Sequence, residues 1–195
     1  ASSAGSMTAR SNSDSVVVRE TIVTKEALTL EAKRDLILEA DGIIVSEAAA
    51  SLIAEGDLRL DAGAQVAAQT TLMLEAGATF ALAENAQALS VGGLGLDAQD
   101  ITLAEGAVAY AGGNLIGTAR ETLGNNGRIQ SAGLMLLTAQ DQVSNAGLID
   151  AQNALGVTSA SLVNTGVIDT TGGALFFEGL SAFDNTGGTL SSDTG

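Results

Sequence analysis

The sequence predicts an all-β fold, a right-handed parallel β-helix (solenoid) with about 19–22 residues per coil, and three observations predict it. The first is a repeat. From Leu28 the chain divides into 22-residue windows, LTLEAKRDLILEADGIIVSEAA, ASLIAEGDLRLDAGAQVAAQTT, LMLEAGATFALAENAQALSVGG and LGLDAQDITLAEGAVAYAGGNL. Their third column is Leu30, Leu52, Leu74 and Leu96, and their fifth is Ala32, Ala54, Ala76 and Ala98. A fixed period of this length marks an architecture of stacked units, none of which buries its apolar side alone. The second observation is alternation. Leu28 and Leu30, Leu36 and Leu38, Leu58 and Leu60, and Leu72 and Leu74 each point to one side of an extended strand, with Thr29, Arg59 or Met73 on the other. The third is punctuation: 24 glycines and no proline in 195 residues suit a hydrogen-bond ladder that uses nearly every backbone N–H.

Because 22 is twice 11, a helical reading has to be tested. At 100° per residue, Leu28, Leu30, Leu36 and Leu38 would fall at about 0°, 200°, 80° and 280°, so no apolar face forms. The strand reading stands. Three segments follow from it: residues 1–27, a Ser-rich N-terminal stretch and a degenerate first coil; residues 28–115, coils with 22-residue repeats; and residues 116–195, coils with Asn-x-Gly repeats of 19–21 residues. Extending the 22-residue phase backwards places Val16 above Leu38 and Ile22 above Ile44. A second inward column runs Leu38, Leu60, Leu82 and, slipped by one residue, Leu103. A third holds Ile44, Val66 and, with similar slippage, Leu89 and Tyr110. In the last segment Asn125, Asn145, Asn164 and Asn185 each precede a glycine by two positions. Asparagine tolerates left-handed backbone and can bond to an identical amide one coil away, so these four are expected at corners, as a ladder. Roughly nine coils at about 4.8 Å each give a shaft on the order of 40 Å.

Composition narrows the function. A net charge of −15 repels phosphate backbones and anionic membranes, which excludes nucleic acid as an expected partner. No apolar run approaches a membrane span, so no membrane insertion is expected. The Ser-rich start from Ala1 to Ser15 lacks a signal peptide's basic and apolar regions, and the chain reads as a mature fragment. Histidine and cysteine are absent, which removes Ser-His-Asp and Cys-His machinery and the common zinc and haem ligands. With one Tyr and two Lys there is little to build a polysaccharide-cleaving groove, so no catalysis and no cofactor are expected.

Two features invite a metal reading. Residues Gly92 to Asp97 match a GGxGxD calcium nonapeptide, but the match stands alone, and Leu94 and Leu96 are already core positions. Glu31, Glu75 and Asp97 share one outward column and Glu39 and Asp61 another; a solvated, mutually repulsive surface accounts for both, with a divalent-cation site as the sharper alternative.

The stretch GNNGRIQSAGLMLLTAQDQVSNAGLIDAQNALGVTSASLVNTGVIDT, with FDNTGGTLSS at Phe183 to Ser192, resembles the repeats of filamentous-haemagglutinin-like exoproteins of two-partner secretion systems. These include adhesins and contact-dependent growth-inhibition effectors. The likeness covers residues 107–192 well and 28–106 more loosely, through units such as LRLDAG and LMLEAG. It implies a right-handed parallel β-helix, export through an outer-membrane transporter, and a place on the surface of a Gram-negative cell or in secreted form. On that footing the expected role is a structural shaft, a monomeric filament segment that presents a distal adhesive or toxic element to a host or target-cell receptor. The alternative is a receptor- or glycan-binding module, for which Gly112 to Ile116 and Gly172 to Phe177 are candidate places because the repeat loosens there.

Overall fold

A computed structural model describes residues 2–193; Ala1, the first residue of the Ser-rich stretch, lies outside them. The described chain is a parallel β-solenoid of about 9 turns, with no helix. Each turn crosses three sheets. In a representative coil Leu28–Ala32 lies in the first sheet, Leu36–Leu38 in the second and Ile43–Ser46 in the third, and the next coil starts with Ala50–Ala54 back in the first. The first and second sheets have nine strands and the third ten, every described pairing being parallel and between consecutive coils. The sheets run through residues 27–28 and 115–116 without a break.

The strands form where apolar residues alternate, because only a two-residue period sends one set of side chains into the shaft. Leu28, Leu30 and Ala32 are buried, with Thr29 and Glu31 between them partly exposed. Leu30, Leu52, Leu74 and Leu96 are direct partners across the first sheet, each no more than 1% exposed. Leu38, Leu60, Leu82 and Leu103 are stacked in the second. The resulting core is a single aliphatic column bundle along the shaft axis, with Phe80 its one fully buried ring.

Two positions depart from the sequence reading. Val66 pairs with Ala88, and Ala88 with Ala109, so Leu89 and Tyr110 stack with Val45 and Ala67 on the outside of the third sheet. The expected slippage does not occur: Val66 follows Leu60 by six residues and Ala88 follows Leu82 by six, and a one-residue shift would turn the whole strand over. In the first coil Val16 pairs with Leu36 and Val18 with Leu38, while Ile22 pairs with Ile44 as expected. Here the corner between the second and third sheets is two residues shorter than in the next coil, which moves the phase by two and preserves the face.

That corner has two forms. In the 22-residue coils five residues (39–43) separate inward Leu38 from inward Ile44, and the turn contains a left-handed residue. These residues are Asp41, Gly63, Asn85 and Gly106, with φ between 59° and 74°. Asp or Asn alternates with Gly for a spatial reason. The Asp41 carboxylate lies over Gly63, where a Cβ would come within 2.7 Å of Oδ1, and Asn85 covers Gly106 still more closely. The repeat thus has a hidden period of two coils. Excising residues 50–93 joins Ala49 to Leu94 and sets Asp41 over Gly106, and this variant should unfold cooperatively near the parent's melting temperature. Excising residues 50–71 sets Asp41 over Asn85, and thermal circular dichroism should show it melting several degrees below the two-coil deletion.

Candidate functional surface

The later coils use the short corner, and it is here that Asn125, Asn145 and Asn164 act; the corner after Asn185 is one residue longer and holds Gly187 at φ 83°. Three residues (146–148) separate Asn145 from inward Ile149. Asn125, Asn145 and Asn164 end strands of the second sheet, face inward and are at most 2% exposed. Leu103 is the direct partner of Asn125, so the amide column continues the leucine column. The amides run head to tail: Asn125 Nδ2 donates to Asn145 Oδ1 (2.7 Å), Asn145 to Asn164 (2.8 Å) and Asn164 to Asn185 (2.6 Å). Each also serves the corner. Asn125 Oδ1 accepts from the Gly127 N–H, and the Nδ2 atoms of Asn125, Asn145 and Asn164 reach Leu148, Val167 and Thr189 carbonyls one coil on. The side chain supplies the hydrogen bonds that a shorter turn cannot make with its own backbone. None of the four uses the left-handed backbone that asparagine tolerates; among the non-glycine residues described, Asp41 and Asn85 hold that conformation.

A second polar column lines the end of the third sheet. Ser46, Ser90, Ser131 and Thr170 alternate with Ala68, Ala111 and Ala151 and are buried. The serine hydroxyls donate to turn carbonyls of the preceding coil, Glu26, Thr70 and Gly113. Their signal, serine or threonine every second repeat, was present in the sequence at spacings of 44, 41 and 39.

Most basic side chains on the outside pair locally with a carboxylate, while the surface as a whole stays strongly acidic. Arg10 pairs with Glu31, Lys33 with Glu55 (2.5 Å), Arg19 with Glu39 (3.0 Å), Arg34 with Asp14 (3.3 Å) and Arg120 with Asp97 (2.6 Å), each between adjacent coils. All are exposed enough that each contributes about 1 kcal/mol or less. Glu31 and Glu75 are two coils apart, with Ile53 between them, so within that column Glu75 and Asp97 are the adjacent acids; Glu39 and Asp61 follow the paired Leu38 and Leu60 in neighbouring coils. Among the described residues no three acidic side chains converge on a point where a cation could sit. Gly93–Ala98 is a strand with Leu94 and Leu96 buried, so the GGxGxD match is core sequence. Near the last coil Asp184 is held below the ordinary carboxylate range, first by the Thr186 hydroxyl and then by its N–H (2.8 Å).

The two places where the repeat loosens meet on one surface. Ile116 and Phe176 are 52% and 60% exposed and lie in the same outward column of the first sheet, with Leu136 and Gly156 between them. Towards the N-terminus the column continues through Gly95, Met73 and Ser51. Beside it runs a second column, Glu75, Asp97, Thr118, Thr138 and Thr158. Sequence reasoning missed this surface as a unit, although the inward parity of Leu115, Gly117 and Ala119 fixes Ile116 and Thr118 as outward. Comparison with known proteins adds nothing to these features: no family model, no curated protein and no solved structure matches the chain. No helix of the described residues is long and apolar enough to cross a membrane.

Proposed function

We propose that the chain is a structural shaft segment of a secreted bacterial surface filament, holding a distal adhesive or toxic element away from the cell. The observation that carries this reading is the unbroken stack. Three sheets continue from coil to coil, and equivalent positions meet once per circuit, so load along the axis is shared by all the ladders at once. Burial in columns and an amide ladder favour axial stiffness over a specialised pocket. The likeness of residues 107–192 to filamentous-haemagglutinin-like repeats supplies the setting: export by a two-partner transporter and display at a Gram-negative surface, with a host or target-cell receptor met by the tip. The test is substitution of the whole segment. In the producing bacterium, replacing residues 7–192 with an unrelated solenoid of equal coil number should preserve adhesion or toxin delivery.

If export survives that exchange but adhesion is lost, the second reading holds, a receptor- or glycan-binding module on the solenoid surface. One observation favours it, the joint exposure of Ile116, Leu136 and Phe176 on a single face. Phe176 is the one aromatic ring in that column, which is a small platform for stacking a sugar.

A further inference from the structure

We infer that Asn126–Gly127 is a self-modification site that the amide ladder holds shut: Asn126 is converted to aspartate and isoaspartate when its corner opens, and is silent while the corner is closed. The reaction needs no second protein. The Gly127 backbone nitrogen, once it has lost its proton, attacks Asn126 Cγ; the new C–N bond closes a five-membered imide, the Cγ–Nδ2 bond breaks, and ammonia leaves after taking up a proton from solvent. Water then opens the imide at either carbonyl, giving aspartate or, with the main chain rerouted through the side chain, isoaspartate. Among the asparagines only Asn126 precedes a glycine, and a following residue without a Cβ leaves this attack unhindered. The side chain is otherwise unused. Asn126 is exposed and its amide has no hydrogen-bonding partner among the described residues, while the equivalent positions of the next corners are held by Ala146 and Thr165, so the short turn does not require an amide there.

What holds the site shut is its place at the head of the ladder. Leu103 precedes Asn125 in the column, so no amide of the coil before donates to Asn125 Oδ1, and that oxygen accepts the Gly127 N–H (3.2 Å). In the next two corners the Oδ1 atoms of Asn145 and Asn164 are taken by the preceding amide, and the N–H groups of Gly147 and Gly166 each share a backbone carbonyl with the residue before, at 3.1 Å. Gly127 is buried, whereas Gly147 and Gly166 are partly exposed. The peptide is also pinned on both sides. The N–H groups of Asn126 and Arg128 donate to the Leu103 and Ala107 carbonyls (2.8 Å each), the Leu148 N–H donates to the Gly127 carbonyl (2.9 Å), and a Cβ at Gly127 would strike the Ala107 carbonyl. Attack needs the nitrogen free, deprotonated and turned towards Asn126 Cγ, so the rate in the folded chain is the unfolded rate multiplied by the fraction of time the corner is open. The product is a one-way mark: isoaspartate adds a methylene to a three-residue turn (126–128) fixed at both ends, and the corner cannot close as before.

Incubation at mildly alkaline pH followed by peptide mapping with mass spectrometry should show Asn126 converting at least about tenfold more slowly in the folded chain than in denaturant. Ala146→Asn places a second Asn-Gly pair in a corner that lacks the side-chain lock. Because Ala146 is exposed, this variant should keep the parent's melting temperature, and position 146 should convert at least about threefold faster than Asn126 within the same molecule. Asn125→Leu, which copies Leu103 of the same column, should accelerate conversion of Asn126 in the folded chain, and Asn126→Ala should abolish the product. Conversion of Asn126 in the folded parent at the denatured rate would overturn the inference. So would an unchanged rate in folded Asn125→Leu. Equal rates at positions 126 and 146 of Ala146→Asn would overturn it as well, and that comparison reads the lock even where Asn125→Leu fails to fold.

Discussion

Leu74→Asp opens the stack at its centre. Leu74 is fully buried and is the direct partner of Leu52 and Leu96, with no polar group of the leucine column within the ladder to receive a carboxylate. An unpaired buried charge costs several kcal/mol, about 4 or more once the lost leucine contacts are added. A solenoid's stability is a sum of coil and neighbour terms, so the damage should be local first. The expected result is a strongly lowered melting temperature, with amide exchange accelerated in residues 50–98 before the terminal coils. An unchanged melting curve would mean that the column is not the core. Isosteric Leu74→Met serves as the control and should cost about 1 kcal/mol.

Asn145→Asp should be nearly as severe at neutral pH, although it alters a single group. Asn145 is 2% exposed, accepts from Asn125 and donates to Asn164 Oδ1 and the Val167 carbonyl. Replacing the amide nitrogen with a carboxylate oxygen sets an acceptor against two acceptors, and a buried, mispaired charge costs about 3–5 kcal/mol. The introduced carboxyl responds by binding a proton more tightly when folded than when unfolded. Its folded pKa is raised, so the penalty is largest above that value and disappears as pH falls below the unfolded value of about 4. Denaturant titrations at pH 7 and pH 4 distinguish this from simple loss of packing, because Asn145→Leu should cost about 1–3 kcal/mol equally at both. A pH-independent loss in Asn145→Asp would show that the ladder does not use the amide donor. Leucine is a fitting comparison, since Leu103 occupies the same column two coils earlier.

Much of this architecture was legible because a stacked fold writes its contacts into the spacing of its residues. Leu30, Leu52, Leu74 and Leu96 share a column in the text of the sequence for the same reason that they share one in space. The amide ladder was readable from the 19- to 21-residue recurrence of Asn-x-Gly. Its backbone was not: asparagine tolerates both left-handed and extended conformations, and here it ends a strand while its side chain does the work of a turn. Leu89 and Tyr110 are larger and more apolar than Ala88 and Ala109, yet the alanines hold the interior positions. Alanine suffices there, and the strand phase is set by neighbouring coils rather than by each residue's hydropathy.

By itself the sequence determined what every coil must repeat: the strands, their inward leucines, the length of the period and the absence of proline. The tertiary structure alone decided what depends on two coils or two faces being present together. That includes the Asp and Asn side chains lying over the next coil's glycine, the head-to-tail order of the amides, and the outward column that joins Ile116, Leu136 and Phe176. The physical reason is that periodicity records which residues are equivalent. Only the register across a hydrogen-bonded sheet fixes which of them touch, and which way each side chain points when they do.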